Sequence, residues 1–171
     1  MGGAQPLAVT LNGGCCLCVE VDPERAEKRL KTAYVDQVTT NLEEALQIIQ
    51  QNLRQKKAIS VGLIANAGDI FPQLVQQGIR PDIVTDQTSA HDALNGYVPA
   101  GLPYEKALSL RRSDPTVYMQ ASMQTMAKQV NAMLAFQKMG AVVFDYGNNL
   151  RGQALTAGVT DAFQIPGFVP E

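Results

Sequence analysis

Asp82-Ile83-Val84-Thr85-Asp86-Gln87-Thr88-Ser89-Ala90-His91-Asp92 is the stretch on which the reading of this chain turns. A β-branched, apolar run stops abruptly at small and polar side chains, and the only histidine of the chain stands among them. Open α/β sheets place ligand sites in loops of this kind, just outside the carboxyl ends of buried parallel strands. The spacing predicts a strand over residues 81–85 and a binding loop after it.

Working outward, short β-branched runs alternate with longer amphipathic ones. Strands are expected over residues 15–21, 58–64 and 141–144 as well. Helices are expected over 5–11, 23–30, 40–56, 69–77, 102–112, 115–138 and 149–157, and an extended tail over 163–170. Asp22 before Pro23 reads as a helix cap followed by a first-turn proline. Met119, Met123, Met126, Val130 and Met133 recur at spacings of four and three, which predicts one core-filling helix face. The alternation as a whole gives an α/β fold, a Rossmann-like parallel sheet with helices on both faces. The strand that ordinarily precedes a dinucleotide-binding glycine loop has no counterpart ahead of Gly2, so the sheet is expected to lack its first strand.

At 171 residues the chain is expected to form one domain with a substantial core. Hydrophobic residues at 46% and charged ones at 18% match a soluble globular protein. A net charge of −2 gives no electrostatic reason to bind nucleic acid or an anionic membrane. No apolar run reaches the roughly 18 residues of a membrane span. The N-terminus lacks the basic-then-apolar pattern of a signal peptide, which makes the cytoplasm the expected compartment. Cys15, Cys16 and Cys18 are too close for a disulfide framework and lack the further ligands of a zinc site. They read as small hydrophobes in a strand, with no local base to activate a thiolate.

Gly2 and Gly3 precede the first helix, and Glu20 ends the following strand 18 residues after Gly2. A dinucleotide fold needs glycines where the pyrophosphate approaches the backbone, and an acidic residue about 20 positions on to accept from ribose hydroxyls. A carboxylate at that position favours NAD over NADP. Three further strand ends are polar: Ala65-Asn66-Ala67-Gly68-Asp69, the Gln87 to Asp92 loop, and Asp145-Tyr146-Gly147-Asn148-Asn149. In one parallel sheet these turns converge at one edge with Glu20. Asn66 and Gln87 can donate and accept, Thr88 and Ser89 can bind phosphate or ribose oxygens, and Tyr146 can stack on a ring. His91 fits a general base, a phosphate donor or a plain loop residue, and no cluster of metal-ligating side chains surrounds it. On these features alone, an NAD-dependent dehydrogenase domain and a non-catalytic α/β assembly module both stay open.

The blocks Met1-Gly2-Gly3-Ala4-Gln5-Pro6-Leu7-Ala8, Val19-Glu20-Val21-Asp22-Pro23-Glu24-Arg25, Thr85 to Asp92, Leu94-Asn95-Gly96-Tyr97, Phe144 to Asn149 and Pro166-Gly167-Phe168-Val169-Pro170 resemble urocanase, or urocanate hydratase, in the same order along the whole chain. The resemblance implies the central NAD-binding domain of a lyase of histidine degradation. Members are cytoplasmic homodimers that add water to urocanate and give 4-imidazolone-5-propionate, with NAD+ acting as an electrophile and no net hydride leaving. Carried over by position, Gly2, Glu20, Arg25, Asn66, Ala67, Gln87, Thr88, Ser89, Ala90, His91, Tyr97, Val98 and Tyr146 contact the dinucleotide. Ala93 stands where the family often has proline, and Gly68 where it often has alanine. The family's active-site cysteine matches none of Cys15, Cys16 and Cys18. Since the family enzyme is several times longer, the chain is expected to be an excised domain with little hydratase activity of its own, the flanking substrate segments being absent.

Overall fold

The computed structural model describes residues 3–168. The chain divides into two compact units, Met1–Asn66 and Ala67–Glu171. Each is built around a parallel sheet flanked by helices, so the α/β reading holds. The described residues carry two sheets, however, where the sequence suggests one.

In the first unit, α1 (Gln5–Leu11) leads through Gly13 into β1 (Cys15–Glu20). Asp22 then caps α2 (Pro23–Lys31), its Oδ1 accepting from the amides of Glu24 at 2.9 Å and Arg25 at 3.3 Å. Lys28, Arg29 and Lys31 sit in the last turn, where cations complement the helix dipole. A three-residue strand, β2 (Gln37–Thr39), follows, then α3 (Leu42–Arg54) and β3 (Ile59–Ile64). The sheet order is β1-β3-β2, all parallel, with Cys15 opposite Ile59 and Glu20 opposite Ile64. Val61 and Leu63 are fully buried, as are Ala26 of α2 and Ala45 of α3.

β2 is absent from the periodicity-based reading. It is too short to show an alternation, and a side-chain lock sets its place. Asp36, just before it, accepts from the Ser60 amide at 2.8 Å and the Ser60 hydroxyl at 2.6 Å, and its own amide donates back to Ser60.

The second unit contains α4 (Ala67–Gln76), β4 (Ile83–Asp86), α5 (Tyr104–Ser113), α6 (Pro115–Lys138), β5 (Val142–Asp145) and α7 (Leu150–Thr156). β4 and β5 pair in parallel, with Ile83 opposite Val142 and Asp86 opposite Asp145. α6 is the spine, packing against α4, α5, β5 and α7. Its buried face runs through Tyr118, Ser122, Thr125, Gln129, Met133 and Phe136. The methionine stripe is therefore core only in its second half: Met126, Val130 and Met133 are buried, whereas Met119 is 36% exposed. The buried face lies one residue to the side of the stripe and includes polar groups, of which Tyr118, Thr125 and Gln129 find partners.

The tail departs from simple extension. Residues Ala162–Gln164 form a 3₁₀ turn, and extended backbone resumes only beyond it. The Asp145 amide donates to the Pro166 carbonyl at 3.1 Å, and the Phe168 amide donates to the Asp145 carbonyl at 2.7 Å. Arg151 fixes this arrangement. Its Nε lies 2.5 Å from Asp145 Oδ2, its Nη1 donates to the Ile165 carbonyl at 3.0 Å, and its guanidinium covers the Phe163 ring at 4.9 Å. The Asp145 side chain is 1% exposed.

Removing one member of a buried ion pair strands the other. Arg151→Met should lower the unfolding free energy by about 3–5 kcal/mol in urea titration. The double variant Asp145→Asn, Arg151→Met should lose less than Arg151→Met alone, because no buried charge is left unpaired.

Candidate functional site

Within each unit, expected site residues lie at strand ends. In the first unit Glu20 closes β1 and is 5% exposed. Its Oε1 accepts from the Asp22 amide at 3.1 Å, and its backbone carbonyl accepts from the Ala65 amide at 3.0 Å, just before Asn66. The β1 and β3 turns therefore meet at one edge. Arg25 rises from the first turn of α2, its Nε 3.4 Å from Asp22 Oδ2 and its side chain 73% exposed. Glu20, Arg25, Lys28 and Arg29 line a groove of about 200 Å³. A single buried carboxylate thus faces three cations, a donor and acceptor set suited to hydroxyl groups next to an anion. Arg29 also stacks over Tyr34 at 5.6 Å, and its guanidinium borders Gly3. Gly2 lies outside the described residues.

In the second unit, the loop after β4 is organised by Asp86, which is buried. Its carboxylate accepts from the Thr88 amide at 3.0 Å and the Thr88 hydroxyl at 2.7 Å. It also accepts from Gln129 Nε2 at 2.7 Å and Asn148 Nδ2 at 2.5 Å. Asn148 donates to the Thr88 carbonyl too, at 2.9 Å, which ties the β4 and β5 turns together. Gln129, held by α6, accepts at Oε1 from the Tyr97 hydroxyl at 2.5 Å. The Tyr97 carbonyl accepts from the Tyr118 hydroxyl at 2.8 Å. Burial pushes the Tyr97 phenol well above its ordinary range, so it stays a neutral donor.

The loop's second support is a tight turn. Asp92 Oδ1 accepts from the Leu94 amide at 3.0 Å and the Asn95 amide at 2.9 Å. These bonds, led by Asn95, hold the Asp92 carboxyl below its ordinary range, so the turn persists at neutral pH and is released only in acid. The Gly96 amide donates to the Asp92 carbonyl at 2.8 Å. A Cβ at Gly96 would stand 2.1 Å from the Ser89 carbonyl oxygen, so only glycine fits. From α7, Gln153 Nε2 donates to the Ala90 carbonyl at 3.3 Å.

Ser89 and His91 are exposed at the loop's surface, Gln87 and Thr88 partly so, and Ala90 is buried. Tyr146 follows β5 and forms an aromatic group with Phe144 at 5.5 Å and Phe168 at 5.0 Å between ring centroids. Gly147 takes a positive φ of 78° and donates its amide to Asp145 Oδ1 at 2.9 Å, which turns the chain sharply after Tyr146. Tyr97, expected to line a ligand, has its ring buried and its hydroxyl on Gln129. Asn66 lies in the turn after β3, whereas Ala67, expected in the same turn, already opens α4, two residues earlier than the helix expected from 69.

Sequence reasoning overlooked Asp86, Gln129 and Asn148 as site-forming groups. One signal was present: Gln129 is a polar residue between Met126, Val130 and Met133, and a buried amide needs partners on both of its ends.

Comparison with known protein families agrees with this architecture. The family model of the urocanase Rossmann-like domain matches residues 1–171, and the chain belongs to that family.

Asp86→Ala removes one acceptor from several buried donors, each costing roughly 1–3 kcal/mol when unpaired. It should lower the unfolding free energy by about 3 kcal/mol and speed amide exchange over residues 87–91. Gly96→Ala forces the Asp92 turn away from Ser89. It should cost about 1–3 kcal/mol, read from the denaturant midpoint.

Proposed function

We propose, from membership of the urocanase family and the chemistry of its strand ends, that this chain is the NAD+-holding domain of a urocanate hydratase. That enzyme is a hydro-lyase of histidine degradation, giving 4-imidazolone-5-propionate from urocanate. A cytoplasmic homodimer is part of the same proposal. When bound, NAD+ supplies an electrophilic nicotinamide ring that accepts electron density from the substrate.

The observation that carries the reading is the Glu20 carboxylate, buried at the carboxyl end of a parallel strand and opening on a cationic groove. A carboxylate held there accepts from vicinal ribose hydroxyls. Arg25, with Lys28 and Arg29, supplies positive potential to the adjoining phosphates. In the second unit Gln87, Thr88, Ser89 and His91 offer amide, hydroxyl and imidazole groups. Asp86 holds Thr88 and the turn that carries them, so less of the loop has to be ordered when a ligand arrives. The Tyr146 ring, backed by Phe168, offers a stacking face. Asn66, Ala90 and Val98 contribute through the loops they occupy, Ala67 from the start of α4, and Gly2 through its lack of a side chain.

Calorimetric titration of the chain with NAD+ tests this reading. Binding is expected, and each of Glu20→Ala, Gln87→Ala and Ser89→Ala should weaken it by about tenfold, the loss of roughly one hydrogen bond. Unchanged affinity in all three variants would overturn the assignment.

A further inference from the structure

β1 alternates its side chains, so Cys16 and Cys18 share one face and Cys15, Leu17 and Val19 the other. On their common face the two sulfurs are 3.2 Å apart. Both are free thiols, partly exposed. Cys15 is separate, its thiol directed to the Lys57 carbonyl at 3.4 Å. The register partners of Cys16 and Cys18 on β3 are Ser60 and Gly62, so no bulky neighbour crowds the pair from that strand.

We propose that Cys16 and Cys18 bind one soft, closed-shell metal cation through both sulfurs. The strand itself disfavours the obvious alternative, a disulfide. A rise of about 3.3 Å per residue places their Cα atoms, and on one face their Cβ atoms, roughly 6.6 Å apart, whereas a disulfide needs Cβ atoms about 3.8 Å apart. Closing that bond would buckle β1 out of its pairing with β3. One interposed ion removes the conflict. Two thiolates on a tetrahedral ion with metal–sulfur bonds of about 2.3 Å stand roughly 3.8 Å apart, a small side-chain rotation from the present spacing. Thiolate pairs select soft ions of this class. On binding, two S–H bonds break, two metal–sulfur bonds form, and two protons leave to solvent with no change of oxidation state. Among the described residues no group of three or more His, Cys, Asp or Glu side chains is placed to hold a metal ion, so solvent completes the coordination.

Cadmium ion alone, added to the reduced chain, is the probe. Thiolate-to-cadmium charge-transfer absorption should grow to one equivalent per chain, with two protons released per ion, in the wild type and in Cys15→Ser. Cys16→Ser and Cys18→Ser should each weaken binding by about a hundredfold through loss of chelation. Far-ultraviolet circular dichroism checks each fold, and the alanine variants replace any serine variant that does not fold. An absent band in the wild type, loss of the band in Cys15→Ser, or an undiminished band in either Cys16 or Cys18 variant overturns the proposal. So does ready formation of a Cys16–Cys18 disulfide under mild oxidant, detected by mass.

Discussion

Two buried carboxylates stand side by side where β4 and β5 end, and the shape of that edge follows from satisfying both. Asp86 and Asp145 are register partners, and both are withdrawn from water. Like charges this close repel, and burial adds a desolvation cost to each. The chain answers differently for the two. Asp145 takes a cation, Arg151, and that pair also secures the tail through the Ile165 carbonyl. Asp86 takes neutral donors from Thr88, Gln129 and Asn148. The second solution leaves no full positive charge at the loop, and it makes the Thr88 and Asn148 turns depend on one acceptor.

That division explains what the sequence does and does not disclose. The strands and most helices follow from local pattern, because a buried parallel strand is a short apolar run and α2, α3 and α6 open on the side-chain caps Asp22, Asn41 and Asp114. Lateral order is not a local property. Nothing in the run 83–86 states that it pairs with 142–145 and not with 59–64, so one sheet was expected where two are found. The short strand 37–39 and the 3₁₀ turn at 162–164 escape for a related reason. Each is placed by partners outside its own segment, Ser60 in the first case and, in the second, the Arg151 clamp on the Ile165 carbonyl and the Asp145 carboxylate.

The candidate site divides along the same line. Residues that offer groups outward, such as Gln87, Ser89, His91 and Tyr146, can be read from polar turns after apolar runs. Residues that hold those turns still cannot. Tyr97 shows the ambiguity well: in sequence it is an aromatic with a hydroxyl beside a polar loop, which fits either a ligand contact or a core anchor. Its burial and its bond to Gln129, 32 residues away, are not visible in the residues around it.

On the proposed reading, the groove at Glu20 also discriminates between the two nicotinamide dinucleotides. Three cations there would welcome an additional phosphate on the ribose, and one carboxylate would oppose it. The cations do not win by number. Arg25 is 73% exposed, and a charge so well solvated is screened within about a Debye length and contributes little. Glu20 is 5% exposed, with its Oε1 on the Asp22 amide, and is held at the strand end where the ribose hydroxyls would lie. A buried carboxylate is screened less than the exposed Arg25 guanidinium, so on this reading it weighs against an added phosphate there. On the proposed reading, the carboxylate that would accept from two hydroxyls would also repel the phosphate that replaces one of them.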